Sequence, residues 1–311
     1  MSSPSTPTRC GTVALIGLPN AGKSTLLNGL LGQKLSIVSN KPQTTRNRVV
    51  GVVTRPPVQA VLLDTPGIHD ARTRLNEAMV EIAREALQEA DTACWVVDAK
   101  RLSERVEQRR DTWHIGMQSI AALVPQNVTV ALNKVDIIHK PLLLPIIALF
   151  QEKLPFATCV PVSAETGDGL DRLFDSWAPK LPPAPFLFEP DAVTDQPERF
   201  FVAELIREKV FRHTHEELPY AAAVEIERYT EPGPDAPSGA QVEIFARIIV
   251  ERPGQKAIVV GRGGEMIKKI GTEARKDINA LLGARVHLEL HVSVEPDWTR
   301  DPRRIAQLQS S

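Results

Sequence analysis

The stretch Gly17-Leu18-Pro19-Asn20-Ala21-Gly22-Lys23-Ser24 fits the pattern G-x-x-x-x-G-K-[ST], and the apolar run Thr12–Ile16 precedes it. A strand that ends in a glycine-rich loop and continues as a helix points successive backbone N–H groups at one anion, with the helix dipole behind them. That context makes the loop a phosphate cradle and commits the chain to an α/β fold. In such a cradle Lys23 reaches the β- and γ-phosphates, and the Ser24 hydroxyl ligates Mg²⁺.

A second motif selects the base. The apolar run Val128–Leu132 ends in Asn133-Lys134-Val135-Asp136, the pattern N-K-x-D. The Asp136 carboxylate can accept from guanine N1–H and the 2-amino group together. Adenine offers neither donor and would leave a buried carboxylate unpaired, so the pocket discriminates strongly. The Lys134 stem can lie over the base, and Asn133 can tie this loop to the phosphate loop.

Between the two lies Asp64-Thr65-Pro66-Gly67, after the apolar run Val58–Leu63. Asp64 is expected to hold Mg²⁺ through water, and the Gly67 N–H to meet the γ-phosphate and release it after hydrolysis. Thr45 is the expected Mg²⁺ and γ-phosphate contact of the first switch, with Thr44 the alternative. Ser163-Ala164, after the strand Thr158–Val162, is expected to place a backbone N–H on guanine O6. Ile68 occupies the position where Ras-like switches carry a water-orienting Gln, and Ile can neither orient nor deprotonate water.

The remaining bounds are broad. With 37 Lys+Arg against 38 Asp+Glu, bulk charge does not mark a nucleic-acid binder, so any basic surface is local. Cys10, Cys94 and Cys159 have no C-x-x-C spacing and read as reduced thiols of a cytosolic protein. No apolar run is long enough to span a bilayer, and the Ser/Thr/Pro-rich start lacks the apolar core of a signal peptide.

The strand–helix alternation stops at Leu181-Pro182-Pro183-Ala184-Pro185. Beyond it the pattern is an amphipathic helix over Arg199–Thr214, strands over Ala221–Tyr229 and Val242–Glu251, then Gly261-Arg262-Gly263-Gly264. A helix over Glu265–Leu282 and a strand over Val286–Val294 follow. The order α-β-β-α-α-β with G-x-x-G between the middle helices describes a KH-type RNA-binding module. Arg252, Lys256, Arg262, Lys268, Lys269, Arg275 and Lys276 face only Glu265 and Glu273 in that stretch, the excess that phosphate contacts need. The expected layout is a disordered lead over 1–9, a GTPase domain over 10–180, a Pro-rich linker over 181–198, a KH domain over 199–300 and a tail over 301–311.

Taken in order, GLPNAGKSTLLN, KPQTTRNR, DTPGIH, NKVD and VSAETGDGLDRL resemble the GTPase elements of the bacterial Era family. VERPGQKAIVVGRGGEMIKKIGTEARKDI and VHLELHVSVEPDW resemble its C-terminal domain. The resemblance implies a Ras-like P-loop domain with a mainly parallel sheet, followed by a smaller α+β type II KH domain. It implies GTP hydrolysis coupled to 16S rRNA processing and assembly of the 30S subunit, binding to the 3′ end of 16S rRNA, and a cytoplasmic monomer. For some members it implies peripheral association with the inner membrane. In GTPases with a similar loop, an Asn at the place of Asn20 helps to hold K⁺; the alternative is a residue that stabilises its own turn. The competing functional reading is an RNA-binding assembly factor for which nucleotide occupancy, not hydrolysis, matters. Pro253-Gly254, Gly263, Ser293 and Glu295 depart from the family pattern, and Leu102–Met117 carries no motif.

Overall fold

The computed structural model describes residues 7–37, 47–68, 74–214, 218–233, 237 and 239–310. Thr44, Thr45 and Arg46, expected to form the first switch, lie outside the described residues. Two compact units divide the chain, Met1–Ala71 with Met79–Asp195 and Arg72–Ala78 with Gln196–Ser311.

The first unit alternates strands and helices: β1 (Arg9–Ile16), α1 (Lys23–Leu31), β2 (Val49–Arg55), β3 (Val58–Asp64), α2 (Arg74–Glu89), β4 (Thr92–Asp98) and α3 (Ala99–Glu107). It continues with α4 (Ile115–Ala121), β5 (Thr129–Asn133), α5 (Leu143–Lys153), β6 (Thr158–Pro161) and α6 (Leu170–Trp177). The sheet order is β2-β3-β1-β4-β5-β6, with β2 antiparallel to β3 and the other pairs parallel. Every residue of β3 and all but the last of β4 are buried, as strands covered by helices on both faces require. α6 shows the complementary helical pattern, burying Leu170, Leu173, Phe174 and Trp177 on one face. Trp95, Trp113 and Phe150 pack edge-to-face at centroid distances of 5.5–6.0 Å. Because β1, β3, β4, β5 and β6 run parallel, the loops after them open on one edge. The phosphate loop after β1, Asp64–Gly67 after β3, Asn133–Asp136 after β5 and Ser163–Ala164 after β6 lie there, as the rule for open α/β sheets anticipates.

The Pro-rich stretch lies on this unit in hydrogen-bonded contact. The Gln59 amide spans Phe188 O at 2.9 Å and Leu187 N at 2.9 Å, and Val52 N–H donates to Val193 O at 2.9 Å. Prolines remove donors, so the non-proline residues between and beyond them carry these bonds.

The second unit contains α7 (Glu198–His213), β7 (Ala223–Thr230), β8 (Val242–Val250), α8 (Pro253–Val260), α9 (Glu265–Leu282), β9 (Val286–Val294) and α10 (Pro302–Ser310). Its sheet order is β7-β8-β9, antiparallel then parallel. Val202, Ile206, Ile244, Ile248, Ile270 and Ile278 form its core. Pro253 sits in the first turn of α8, and the Gln255 side chain accepts from the N–H groups of Glu251 and Arg252 at 2.9 and 3.1 Å. The Pro-Gly departure is thus a helix start, where proline's missing donor costs nothing.

Two expectations change here. α7 is not a simple amphipathic helix, because Glu204, Arg207, Glu208 and Lys209 are all buried. Arg207 pairs with Glu204, and Lys209 with Glu208 and Asp277; the charges are tolerated because each meets its opposite. His213, at the end of the helix, meets Glu273 at 2.9 Å and is mostly covered. The expected tail forms a docked helix instead: Arg304 bridges Glu225 and Glu295, and Ile305 is buried.

Candidate functional site

The phosphate loop is built from the interior outward. Gly17 closes against β4 so tightly that a Cβ would lie 2.3 Å from Val96 O. Gly22, with φ of 95°, begins α1, and a Cβ there would meet the Asn133 amide at 2.2 Å. Leu18 O accepts from Ala21 N–H at 3.3 Å, and Gly17 O accepts from Ile68 N–H at 3.1 Å, so backbone hydrogen bonds hold the loop's shape. Lys23 is buried, with Nζ 3.3 Å from the carbonyls of both Gly17 and Leu18. Burial pushes its pKa down to about 8, partly offset by Asp64. Desolvation also raises the Asp64 carboxyl above its ordinary range, against the pull of Lys23 and of the Ser24 and Ser36 hydroxyls.

Those residues fit a magnesium ion. Ser24 Oγ donates to Asp64 Oδ2 at 2.8 Å, while Asp64 Oδ1 is buried without a well-formed hydrogen bond among the described residues. A hydroxyl and an under-satisfied carboxylate beside a phosphate loop are the hard oxygen donors that Mg²⁺ takes. Thr65 turns inward: its hydroxyl donates to Leu15 O at 2.8 Å and pins the end of β3 to β1. Pro66 and Gly67 follow it, both buried, and a Cβ on Gly67 would lie 2.8 Å from Pro19 N. Ile68 is buried in the core.

The base-recognition loop is joined to the phosphate loop. Asn133 Nδ2 donates to Ala21 O at 2.9 Å. Lys134 adopts φ of 69°, and its Nζ donates to Asn20 O at 2.9 Å and to Asp98 Oδ2 at 2.6 Å. Asp136 is exposed and lines a cleft of about 590 Å³ with Asn20, Gly22, Asn133, Lys134 and Ala164. Val135 N–H is taken by Val162 O at 3.3 Å. The N–H groups of Ser163 and Ala164 are already engaged, donating to Asp168 O at 2.8 Å and to Asn133 Oδ1 at 2.9 Å. Guanine O6 can meet the Ala164 N–H only by sharing it with Asn133.

In the second unit, α8 ends at Val260 and α9 begins at Glu265, so Arg262-Gly263-Gly264 forms a single turn with Arg262 and Gly263 exposed. Gly263 has φ of 58°, and a Cβ there would have nothing within 4 Å, so conformation and not packing calls for glycine. All seven basic residues are exposed, yet they do not ring the loop. Arg262, Lys268 and Lys269 lie close to it. Arg252 caps the far end of α8, about 12 Å away, and Arg275 and Lys276 lie about 16 Å along α9 at 1.5 Å per residue. The charge is a band along two helices.

Comparisons with known proteins match this geometry. Residues 12–134 match the family described as 50S ribosome-binding GTPase, and residues 217–299 match the KH domain. The GTPase Era of Geobacter metallireducens is 46% identical over 302 residues, covering 97% of this chain and 98% of its own. The chain belongs to the Era GTPase family. It is a GTPase, a P-loop domain followed by a KH domain. A crystal structure of Era in complex with MgGDPNP and nucleotides 1506–1542 of 16S ribosomal RNA is 39% identical with a TM-score of 0.87, covering 97% of this chain and 98% of that one. Aquifex aeolicus Era bound to GDP·AlF4⁻ is 38% identical with a TM-score of 0.85, covering 97% and 99%.

Two features of the site have no signal in the motifs. Ile258, on the last turns of α8 beside the G-x-x-G turn, is 54% exposed, and only the placement of that helix reveals it. Leu102–Met117 divides into buried anchors (Leu102, Met117) and a polar rim. With Leu18 and Pro19 it encloses a cavity of about 460 Å³ beside the phosphate loop, rimmed by Arg101, Arg105, Arg110 and His114.

Proposed function

We propose that this chain is a GTP-hydrolysing switch that binds the 3′ end of 16S rRNA through its KH domain and acts in 16S rRNA processing and 30S subunit assembly. The observation that carries the reading is the pairing, in one chain, of a phosphate loop joined to N-K-x-D with an exposed G-x-x-G turn flanked by cations. The Era complex with MgGDPNP and 16S rRNA nucleotides supports it.

In this reading Lys23 and the N–H groups at the start of α1 meet the phosphates, and Ser24, Asp64 and Thr45 hold Mg²⁺. When bound, Mg²⁺ neutralises charge on the β- and γ-oxygens. The Gly67 N–H senses the γ-phosphate, and Asp136 reads guanine while Lys134 covers it. Ile68 is apolar and buried, so it does not orient the attacking water. Asn20 is the residue to hold K⁺ in place of a positive finger. On the RNA side, glycines at the turn admit the backbone, Arg262, Lys268 and Lys269 meet phosphates, and Ile258 offers an apolar surface to a base.

The deciding experiment changes Arg262 and Gly263 both to Asp. Affinity for single-stranded RNA from the 16S 3′ end should fall at least tenfold, about 1.4 kcal/mol, while GTP turnover without RNA stays at the wild-type rate. Equal RNA affinity at equal salt would remove the KH assignment in function. GTP turnover with and without that RNA separates a hydrolytic switch from the occupancy reading, and matched KCl and NaCl test the K⁺ role of Asn20. Membrane association would be peripheral, since no helix among the described residues is long and apolar enough to cross a bilayer. Vesicle flotation tests it, and sedimentation tests the monomer.

A further inference from the structure

The register of the first sheet brings a carboxylate to the base-recognition loop that none of the nucleotide motifs contains. β4 and β5 pair in parallel with Asp98 opposite Asn133, so Asp98 ends its strand beside the start of N-K-x-D. There the chain turns into α3, and Asp98 becomes its N-cap, Oδ1 accepting from Arg101 N–H at 3.1 Å. The cap fixes the carboxylate and turns Oδ2 toward Lys134 Nζ, 2.6 Å away. The Asp98 side chain is only 9% exposed and that of Lys134 31%, so the pair is shielded from the solvent that weakens surface ion pairs.

Lys134 needs such a partner. Its φ of 69° is a left-handed conformation that costs a lysine roughly 1 kcal/mol. The ammonium is then held by two acceptors, Asn20 O and Asp98 Oδ2. One is the phosphate loop's backbone and the other is the start of α3. Without the carboxylate, a long flexible side chain keeps one neutral acceptor.

We infer that Asp98 is a positioning residue for guanine-nucleotide binding, holding Lys134 across the base and linking the N-terminus of α3 to the nucleotide's residence time. Asp98 lines the same cleft and acts there through Lys134. The inference rests on the reading that this cleft holds guanine.

The test uses the full-length protein and fluorescent GDP, with release measured by chase. Asp98→Asn keeps a capping acceptor, because Asn caps helices as well as Asp, but loses the charge that holds the ammonium. Asp98→Ser keeps the cap and loses the reach. Both should speed GDP release about tenfold with the thermal midpoint within a few degrees of wild type. Lys134→Met should do the same, and Asp98→Asn combined with Lys134→Met should be no worse than either alone, because the two act as one unit. If Lys134→Met speeds release while both Asp98 variants keep the wild-type rate, the inference is wrong and the base-site reading stands. Effects that multiply in the double variant also overturn it, since Asp98 then acts by another route. If Lys134→Met itself releases GDP at the wild-type rate, the base-site reading fails and takes the inference with it.

Discussion

The phosphate loop and the G-x-x-G turn both depend on glycine, for opposite reasons. At Gly17 a side chain would strike a backbone carbonyl of the neighbouring strand 2.3 Å away, whereas at Gly263 it would meet open space. One glycine lets interior backbones approach; the other lets an exposed turn bend. The first site is therefore set into the interior. Its lysine and aspartate are buried together, and its loops are bonded to one another. The second is an outward surface whose cations are exposed and strung along two helices. A buried charged site stores electrostatic cost that its ligand relieves. An exposed one gains by counterion release and is tuned by salt.

The sharpest way to break this comparison is Gly17→Ala. The added methyl meets fixed backbone, so stability should fall by about 3 kcal/mol in thermal or denaturant unfolding, and GDP binding should be lost. A stable, nucleotide-binding variant would show that the loop is not wedged against β4. Next in size is Asp136→Asn. An amide donates where the carboxylate accepted, so GTP affinity should drop about a hundredfold, near 2.8 kcal/mol, with a gain for XTP. Competition between the two nucleotides reads the swap, and unchanged preference for guanine would detach the exposed Asp136 from base reading.

A smaller effect comes from pH. Lys23 sits near 8 in the folded protein against 10.5 for an ordinary lysine, so between those values the folded state holds fewer protons than the unfolded one. Its contribution to stability therefore rises as pH climbs through that window, because the buried charge is relieved. Phosphate affinity runs the other way, since the ammonium is the group that meets the anion. GDP affinity measured in EDTA should decline as pH passes about 8, with net proton uptake on binding. Calorimetry in two buffers of different ionisation enthalpy counts those protons; no uptake at about pH 8.5 would mean Lys23 is charged throughout. The smallest effect is Gly263→Ala. With no neighbour to strike, it should cost about 1 kcal/mol for the left-handed backbone and leave GTP turnover untouched. A loss as large as that of Gly17→Ala would erase the distinction between the two glycines.

Much of the nucleotide site was legible because its chemistry is carried by chain neighbours. G-x-x-x-x-G-K-S, D-T-P-G and N-K-V-D each place several functional groups within a few residues, and an apolar strand before each one locates it at a strand end. The strands β7, β8 and β9 and the helix α9 of the second unit follow from periodicity in the same way, and so does the G-x-x-G turn between α8 and α9. Tertiary structure alone decided which groups are already spoken for. The Ala164 N–H goes to Asn133, 31 positions earlier, and Lys134 reaches Asp98, 36 positions earlier. The charges of α7 survive burial because Asp277, Glu208 and Glu204 come to meet them. Arg252 and Arg275 are near Gly263 in sequence and distant along their helices. Hydrophobic period and turn chemistry are short-range properties that a sequence displays directly. Pairing between a donor and an acceptor depends on strand register and helix direction, which exist only once the chain has folded.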